Sequence, residues 1–97
     1  MVTGITLTEA LTRAGMTPQS GVLNESQRVC CIRCDSWSRG YWLKIKRRQD
    51  GHIVGIPVLY TELTGEAIPI EGCGQVEQLS FNDIASNQWM FTTVSKN

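Results

Sequence analysis

Arg33-Cys34-Asp35-Ser36-Trp37-Ser38-Arg39-Gly40-Tyr41-Trp42 is the stretch on which the reading of this chain turns. It places three large aromatic rings and two guanidinium groups within ten residues. The Ser and Gly residues in its middle predict a sharp, exposed bend between two strand-like runs. Large apolar side chains in an exposed basic turn mark a contact surface. Rings set beside cations suit a flat, negatively charged ligand such as a nucleotide. The plainer alternative makes Trp37 and Trp42 core anchors and leaves the arginines to solvent.

Upstream of the bend, Arg28 to Arg33 reads as a strand in which Cys31 faces away from Cys30 and Ile32. Downstream, Gly40 to Arg47 alternates: Tyr41, Leu43 and Ile45 face one way, Trp42, Lys44 and Lys46 the other. Trp42 thus shares a side with two lysines, which counts against a purely core role. Asp50-Gly51 signals a tight turn, and the apolar strand Ile53 to Tyr60 follows. Pro57 inside that run predicts an edge strand or a bulge. Thr64-Gly65-Glu66 reads as another turn, Ala67 to Ile70 as a short strand, and Glu71 to Gln78 as irregular. Ser80-Phe81-Asn82-Asp83 resembles a helix cap, with Asp in place of Glu at the third helical position. It opens one helical turn, Phe81 to Ser86, before a last strand, Trp89 to Val94, and a frayed end from Ser95.

At the other end, Thr6-Leu7-Thr8-Glu9 fits a capping box, with the Glu9 carboxylate reaching back and Ile5 stapled on Ala10. Leu7, Ala10, Leu11 and Ala14 recur at helical spacing, and Gly15 is the stop signal. Met16 to Gln27 carries Pro18, Gly21 and Asn24 without a period and reads as a loop. The expected architecture is α+β in a single domain, residues 1–97: a short N-terminal helix packed on a small twisted antiparallel β-sheet, with a one-turn helix before the C-terminal strand.

At 97 residues a second domain has no room. A monomer of this size has a thin core, and a partner subunit would add to it. Lys and Arg (9) balance Asp and Glu (9), which argues against a nucleic-acid polymer as partner. The balance is uneven along the chain. Arg28 to Asp50 holds Arg28, Arg33, Arg39, Lys44, Lys46, Arg47 and Arg48 against Asp35 and Asp50, while acids gather at Glu62, Glu66, Glu71, Glu77 and Asp83. The first half would therefore draw a small anion. No basic segment leads into an apolar core and cleavage site, and no run reaches membrane-spanning length. A cytoplasmic setting is expected, with no membrane partner and with Cys30, Cys31, Cys34 and Cys73 as reduced thiols.

Cys31-x-x-Cys34 has zinc-knuckle spacing, with Cys73 and either Cys30 or His52 available as further ligands. A structural zinc normally takes a second close pair, however, and Cys73 stands alone. Buried small hydrophobes are the expected role of these cysteines, with no metal or other cofactor. As a redox pair the same motif lacks the thioredoxin-like βαβ context. His52, directly after a turn, reads as solvated rather than as a base, and no glycine-rich loop leads into a helix to cradle phosphate. The residues point to binding and not to an enzyme. Trp37, Tyr41 and Trp42 supply rings for stacking or for walls, worth about 1–3 kcal/mol per stacked base. Arg33 and Arg39 supply guanidiniums that take two phosphate oxygens at once. Asp83, Asn87, Gln88 and Trp89 would add groups that read ribose or base edges, together with another ring.

The order of these segments resembles the small phage proteins of the second Thoeris anti-defence type. Members show an Arg-Glu-Gly-Trp-Asn stretch, an aromatic-Leu strand and an Asp-Ile-x-Ala-x-Asp-Trp ending. Here Trp37 matches the turn tryptophan, Ser38 takes the Asn position, Trp42-Leu43 matches the aromatic-Leu pair, and Asp83-Ile84 with Trp89 keeps the terminal spacing. Arg33 lies one residue further from Trp37 than is usual, Ser36 replaces Gly, Gln88 replaces an acid, and the loop after the first helix is longer. The likeness covers both ends of the chain and is loose from Arg47 to Glu77. It implies a bacteriophage sponge acting in the infected host's cytoplasm. Such a homotetramer would sequester cyclic ADP-ribose isomers, or cyclic oligonucleotides, without cleaving them. The expected contact residues are then Arg33, Ser36, Trp37, Ser38, Arg39, Tyr41, Trp42, Asp83, Asn87, Gln88 and Trp89. The rival reading is a small zinc-stabilised or protein-docking module that inhibits a host protein.

Overall fold

The computed structural model describes residues 1–15, 28–61, 63 and 65–95. The expected loop at Met16 to Gln27, Thr64 of the second expected turn, and Lys96 and Asn97 of the expected frayed end lie outside them; Ser95, also expected to fray, instead ends the last strand. In chain order the elements are β1 (Val2–Ile5), α1 (Leu7–Arg13), β2 (Arg28–Cys34), β3 (Tyr41–Arg47), β4 (Ile53–Tyr60), β5 (Ala67–Pro69), α2 (Phe81–Ala85) and β6 (Trp89–Ser95). The six strands of the described residues join one antiparallel sheet in the order β1-β6-β2-β3-β4-β5. This is the small α+β fold expected.

The two helix starts follow the capping rule. The Thr6 hydroxyl accepts from the Glu9 N–H at 3.1 Å, and Ser80 does the same for Asp83 at 3.2 Å. The Glu9 carboxylate does not close the capping box; it pairs with Arg13 one turn on, at 3.2 Å. Ile5 and Ala10 share one core cluster, as the staple requires.

The β3–β4 hairpin turns at Asp50-Gly51 and pairs Trp42 with Val58 and Leu43 with Pro57. β4 is an inner strand, which corrects the edge reading of Pro57. The proline is tolerated because its backbone polar atoms face β5, where its carbonyl accepts from Ile70 N–H at 3.0 Å. Gly55 is a close-approach glycine: a Cβ there would sit 2.9 Å from Leu43 Cδ1.

β1 was not expected. Four residues with a glycine at φ +67 give little strand signal, and the register shifts between Val2 and Ile5. The strand exists because β6 offers it an edge. β6 itself slots between β1 and β2, so after β5 the chain crosses one face of the sheet before its last strand. On the way Val76 bridges Gly55, exchanging N–H···O bonds of 2.9 and 2.7 Å.

Strand alternation sorts the interior. α1 and the crossing segment pack on Ile32, Cys34, Leu43, Ile45 and Trp89, with Tyr41 and Phe91 at the margin. The opposite face carries Cys31, Trp42, Val58 and Val94, with Ile56, Tyr60 and Met90 packed against them.

Candidate functional site

The bend after β2 is built by backbone bonds. Trp37 N–H donates to Cys34 O at 3.0 Å, Tyr41 N–H to Ser38 O at 3.1 Å, and Tyr60 N–H to Gly40 O at 2.9 Å. Gly40 stands at φ +84, a conformation that suits glycine. Asp35 N–H donates to Gln88 O at 2.9 Å, tying the bend to the start of β6. The two segments named from the sequence do meet.

They meet around Trp37. Its Nε1–H donates to Asp83 Oδ2 at 3.1 Å, and its ring stands edge-on to Trp89 (5.1 Å, 79°) and Tyr41 (5.6 Å, 80°). Trp89 is wholly buried, and its Nε1–H is satisfied by Asp83 O at 2.8 Å. Trp89 is therefore a core anchor and not a contact ring. The core-anchor alternative, raised for Trp37 and Trp42, holds in full for this third tryptophan.

The expected contact set divides between two clefts on opposite faces of the sheet. The first, about 850 Å³, is lined by Arg33, Arg39, Trp42, Tyr60 and Met90, with Met1, Thr61 and Leu63 at its edge. The second, about 440 Å³, is lined by Ser36, Trp37, Ser38, Tyr41 and Asp83, with Val76, Gln78, Leu79 and Ser80. The split follows from the pleat: Tyr41 and Trp42 are neighbours in one strand and point to opposite sides. Asn87 and Gln88 line neither cleft; both are exposed and bonded to each other, Gln88 Nε2 to Asn87 Oδ1 at 3.3 Å. Gln88 N–H also donates to Ser86 Oγ at 3.0 Å, at the entry to β6.

In the first cleft Trp42 is only 4% exposed, so it forms a wall and not an open stacking face. Its ring meets Tyr60 edge-on at 5.8 Å and lies under the Arg33 guanidinium at 5.7 Å. Sharing a side with Lys44 and Lys46 did not prevent its burial. Tyr60 and Met90 were missed. Tyr60 was within reach of the sequence, because the register set by Asp50-Gly51 puts its strand beside Trp42. Met90 was not, since the pairing of β6 with β2 is non-local.

The cysteines do not converge. Cys31 and Cys34 are buried on opposite faces, three residues apart in one strand, and Cys73 is exposed. Among the described residues no three metal-ligating side chains gather. Burial pushes the Cys31 thiol up to about 12, with Cys30 adding to the shift and Lys44 opposing it. His52 lies outside both clefts, exposed, within a surface group in which Arg48 pairs with Glu77 and with Asp50 (2.6 Å) and Asp50 with His52 (3.1 Å).

No family model, curated protein or solved structure matches this chain. Among the described residues no helix is long and apolar enough to cross a membrane.

Proposed function

We propose that this chain binds a nucleotide-derived anionic second messenger and sequesters it without breaking a bond. One observation carries the reading: two guanidiniums, Arg33 and Arg39, border an open cleft of about 850 Å³ walled by Trp42 and Tyr60. That volume is within the usual range for small-molecule sites, and the pairing of cations with rings suits phosphate beside base. Among the described residues its lining holds no carboxylate or imidazole to act as general acid or base, which favours holding the ligand over transforming it. The resemblance to the second Thoeris anti-defence type narrows the proposal. The ligand is then a cyclic ADP-ribose isomer or a cyclic oligonucleotide, bound in the cytoplasm of an infected bacterium by a phage-encoded homotetramer.

The test is a thermal-shift screen of the purified chain against cyclic ADP-ribose isomers and cyclic di- and trinucleotides. At a hundredfold excess over Kd, mass action adds about 2.7 kcal/mol, a clear rise in Tm for a domain this small. The ligand should be recovered unchanged after heat denaturation, and light scattering should report four chains. A flat response to the whole panel refutes the reading. It would favour a protein-docking module, for which Phe81 (89% exposed) and Ile84 (49%) of α2 form the apolar surface. Such a module would capture a host protein and retain no nucleotide.

A further inference from the structure

The two arginines of the first cleft are in different situations. Arg33 Nη2 donates to Trp37 O at 2.8 Å and lies 3.4 Å from Ser38 O. Its Nη1 sits 3.4 Å from Met90 Sδ, its Cζ is over the Trp42 ring, and its Nε is buried without a partner. The Nε–Nη edge that grips a phosphate bidentately is thus closed to the cleft. Arg39 is exposed and forms no hydrogen bond or ion pair with another described residue. Its backbone is pinned on both sides: Ser38 O accepts from Tyr41 N–H and faces Arg33, and Gly40 O accepts from Tyr60 N–H.

We infer that the two guanidiniums have separate roles, Arg33 being a positioning residue that clips the Trp37–Ser38 bend to the sheet and Arg39 the group that meets the ligand's phosphate. This rests on the nucleotide reading of the first cleft and adds a mechanism to it. An arginine with two backbone carbonyls, a thioether and an indole as neighbours would have to abandon them to follow an anion, taking its donor from the part-buried Trp37 carbonyl. An exposed arginine on a fixed backbone, its fork unbonded among the described residues, loses little on binding. Lysine at position 33 keeps the charge but cannot span two carbonyls while lying flat on a ring.

The experiment uses inorganic pyrophosphate as probe, with titration calorimetry on the full chain, Arg39→Gln, Arg33→Lys and the double variant. Amide hydrogen exchange at Tyr41, whose N–H bonds to Ser38 O, reports the bend. Arg39→Gln should weaken pyrophosphate binding about tenfold or more and leave Tyr41 exchange unchanged. Arg33→Lys should speed Tyr41 exchange and weaken binding, yet cost nothing further in the Arg39→Gln background, because it acts through Arg39. In the unsubstituted chain, pyrophosphate should leave Tyr41 exchange the same or slower, a readout that needs no variant to fold. Additive losses, or faster Tyr41 exchange on adding pyrophosphate, would mean that Arg33 goes to the anion itself, and the separation of roles falls. An unsubstituted chain that ignores pyrophosphate overturns the nucleotide reading, and Arg39's role with it.

Discussion

Replacing Trp37 by Phe separates what its indole N–H does from what its ring does. The N–H donates to the Asp83 carboxylate at 3.1 Å, and a hydrogen bond to a charged group contributes about 1.5–3 kcal/mol. Both side chains are half-buried, so the lower end applies, about 1.5 kcal/mol. A phenyl ring keeps most of the edge contact with Trp89 and Tyr41. Trp37→Ala loses both edge contacts as well, each worth about 0.5–1.5 kcal/mol, and should cost about 3–4 kcal/mol in total. Each kcal/mol lowers Tm by about 4–8 °C in a domain of this size, so Trp37→Phe should melt about 6–12 °C lower. The assay is thermal and urea denaturation of Trp37→Phe, Asp83→Ala and the double variant. The two losses should fall short of additive by at least about 0.5 kcal/mol, the mark of a direct contact. Full additivity would refute the argument: the bend and α2 would then be held together by something other than this bond.

Gly55→Ala should destabilise the chain by about 1–3 kcal/mol, because the new Cβ meets the buried Leu43 side chain at 2.9 Å. A raised Tm, the usual effect of Gly→Ala where there is room, would contradict that packing. Disulfide-exchange reagent at pH 8 should titrate exposed Cys73 first and Cys30 more slowly, while Cys31 and Cys34 react only on denaturation. Rapid loss of more than two thiols from the native chain would refute that order. The Cys31 thiol ionises at about 12 when folded, against about 8.5 in an unfolded chain, so the stability from its burial is complete below about pH 8.5 and declines as pH rises toward 12. Cys31→Ala should flatten that alkaline decline in melts taken from pH 8 upward, and an unchanged slope would sink the assignment. The Arg48 hydrogen bond, with help from His52, holds the Asp50 carboxyl well below the usual carboxylate range. Its contribution to the β3–β4 hairpin is present above about pH 4 and is lost as pH falls through that depressed value. Asp50→Asn should therefore remove part of the acid loss of Tm between pH 5 and 2, and an identical acid slope in the variant would count against it.

Local chemistry was legible where it is decided locally. Thr6 and Ser80 mark their helix starts by side-chain geometry that depends only on the next three residues, and both caps form. Asp50-Gly51 sets the register of its hairpin, so the bounds of β4 and the facing of Tyr41 and Trp42 follow from a turn and a two-residue period. β1 escaped notice because a short strand containing glycine is stable only when a neighbour supplies its ladder. Pro57 misled because the pleat turns its backbone polar atoms away from β3 and toward the short β5, whose ladder ends at Pro69, so the missing N–H breaks no bond with β3. The candidate site was half legible. Its residue types and its two segments came from sequence, and the bend and the α2–β6 junction do touch at Trp37 and Asp83.

By itself the sequence already showed an α+β pattern, a tryptophan-bearing bend between two strands, and a stock of rings and guanidiniums gathered at that bend. These rest on periodicity, capping and turn chemistry, which act over a few residues. It took the folded arrangement to divide the contact set between two clefts, to bury Trp89, and to engage Arg33 with the bend while leaving Arg39 exposed at the cleft. Those outcomes depend on β6 entering beside β2 after a long crossing. They depend too on which face of a shared sheet each side chain meets, and pairing between distant segments leaves no mark in the local pattern.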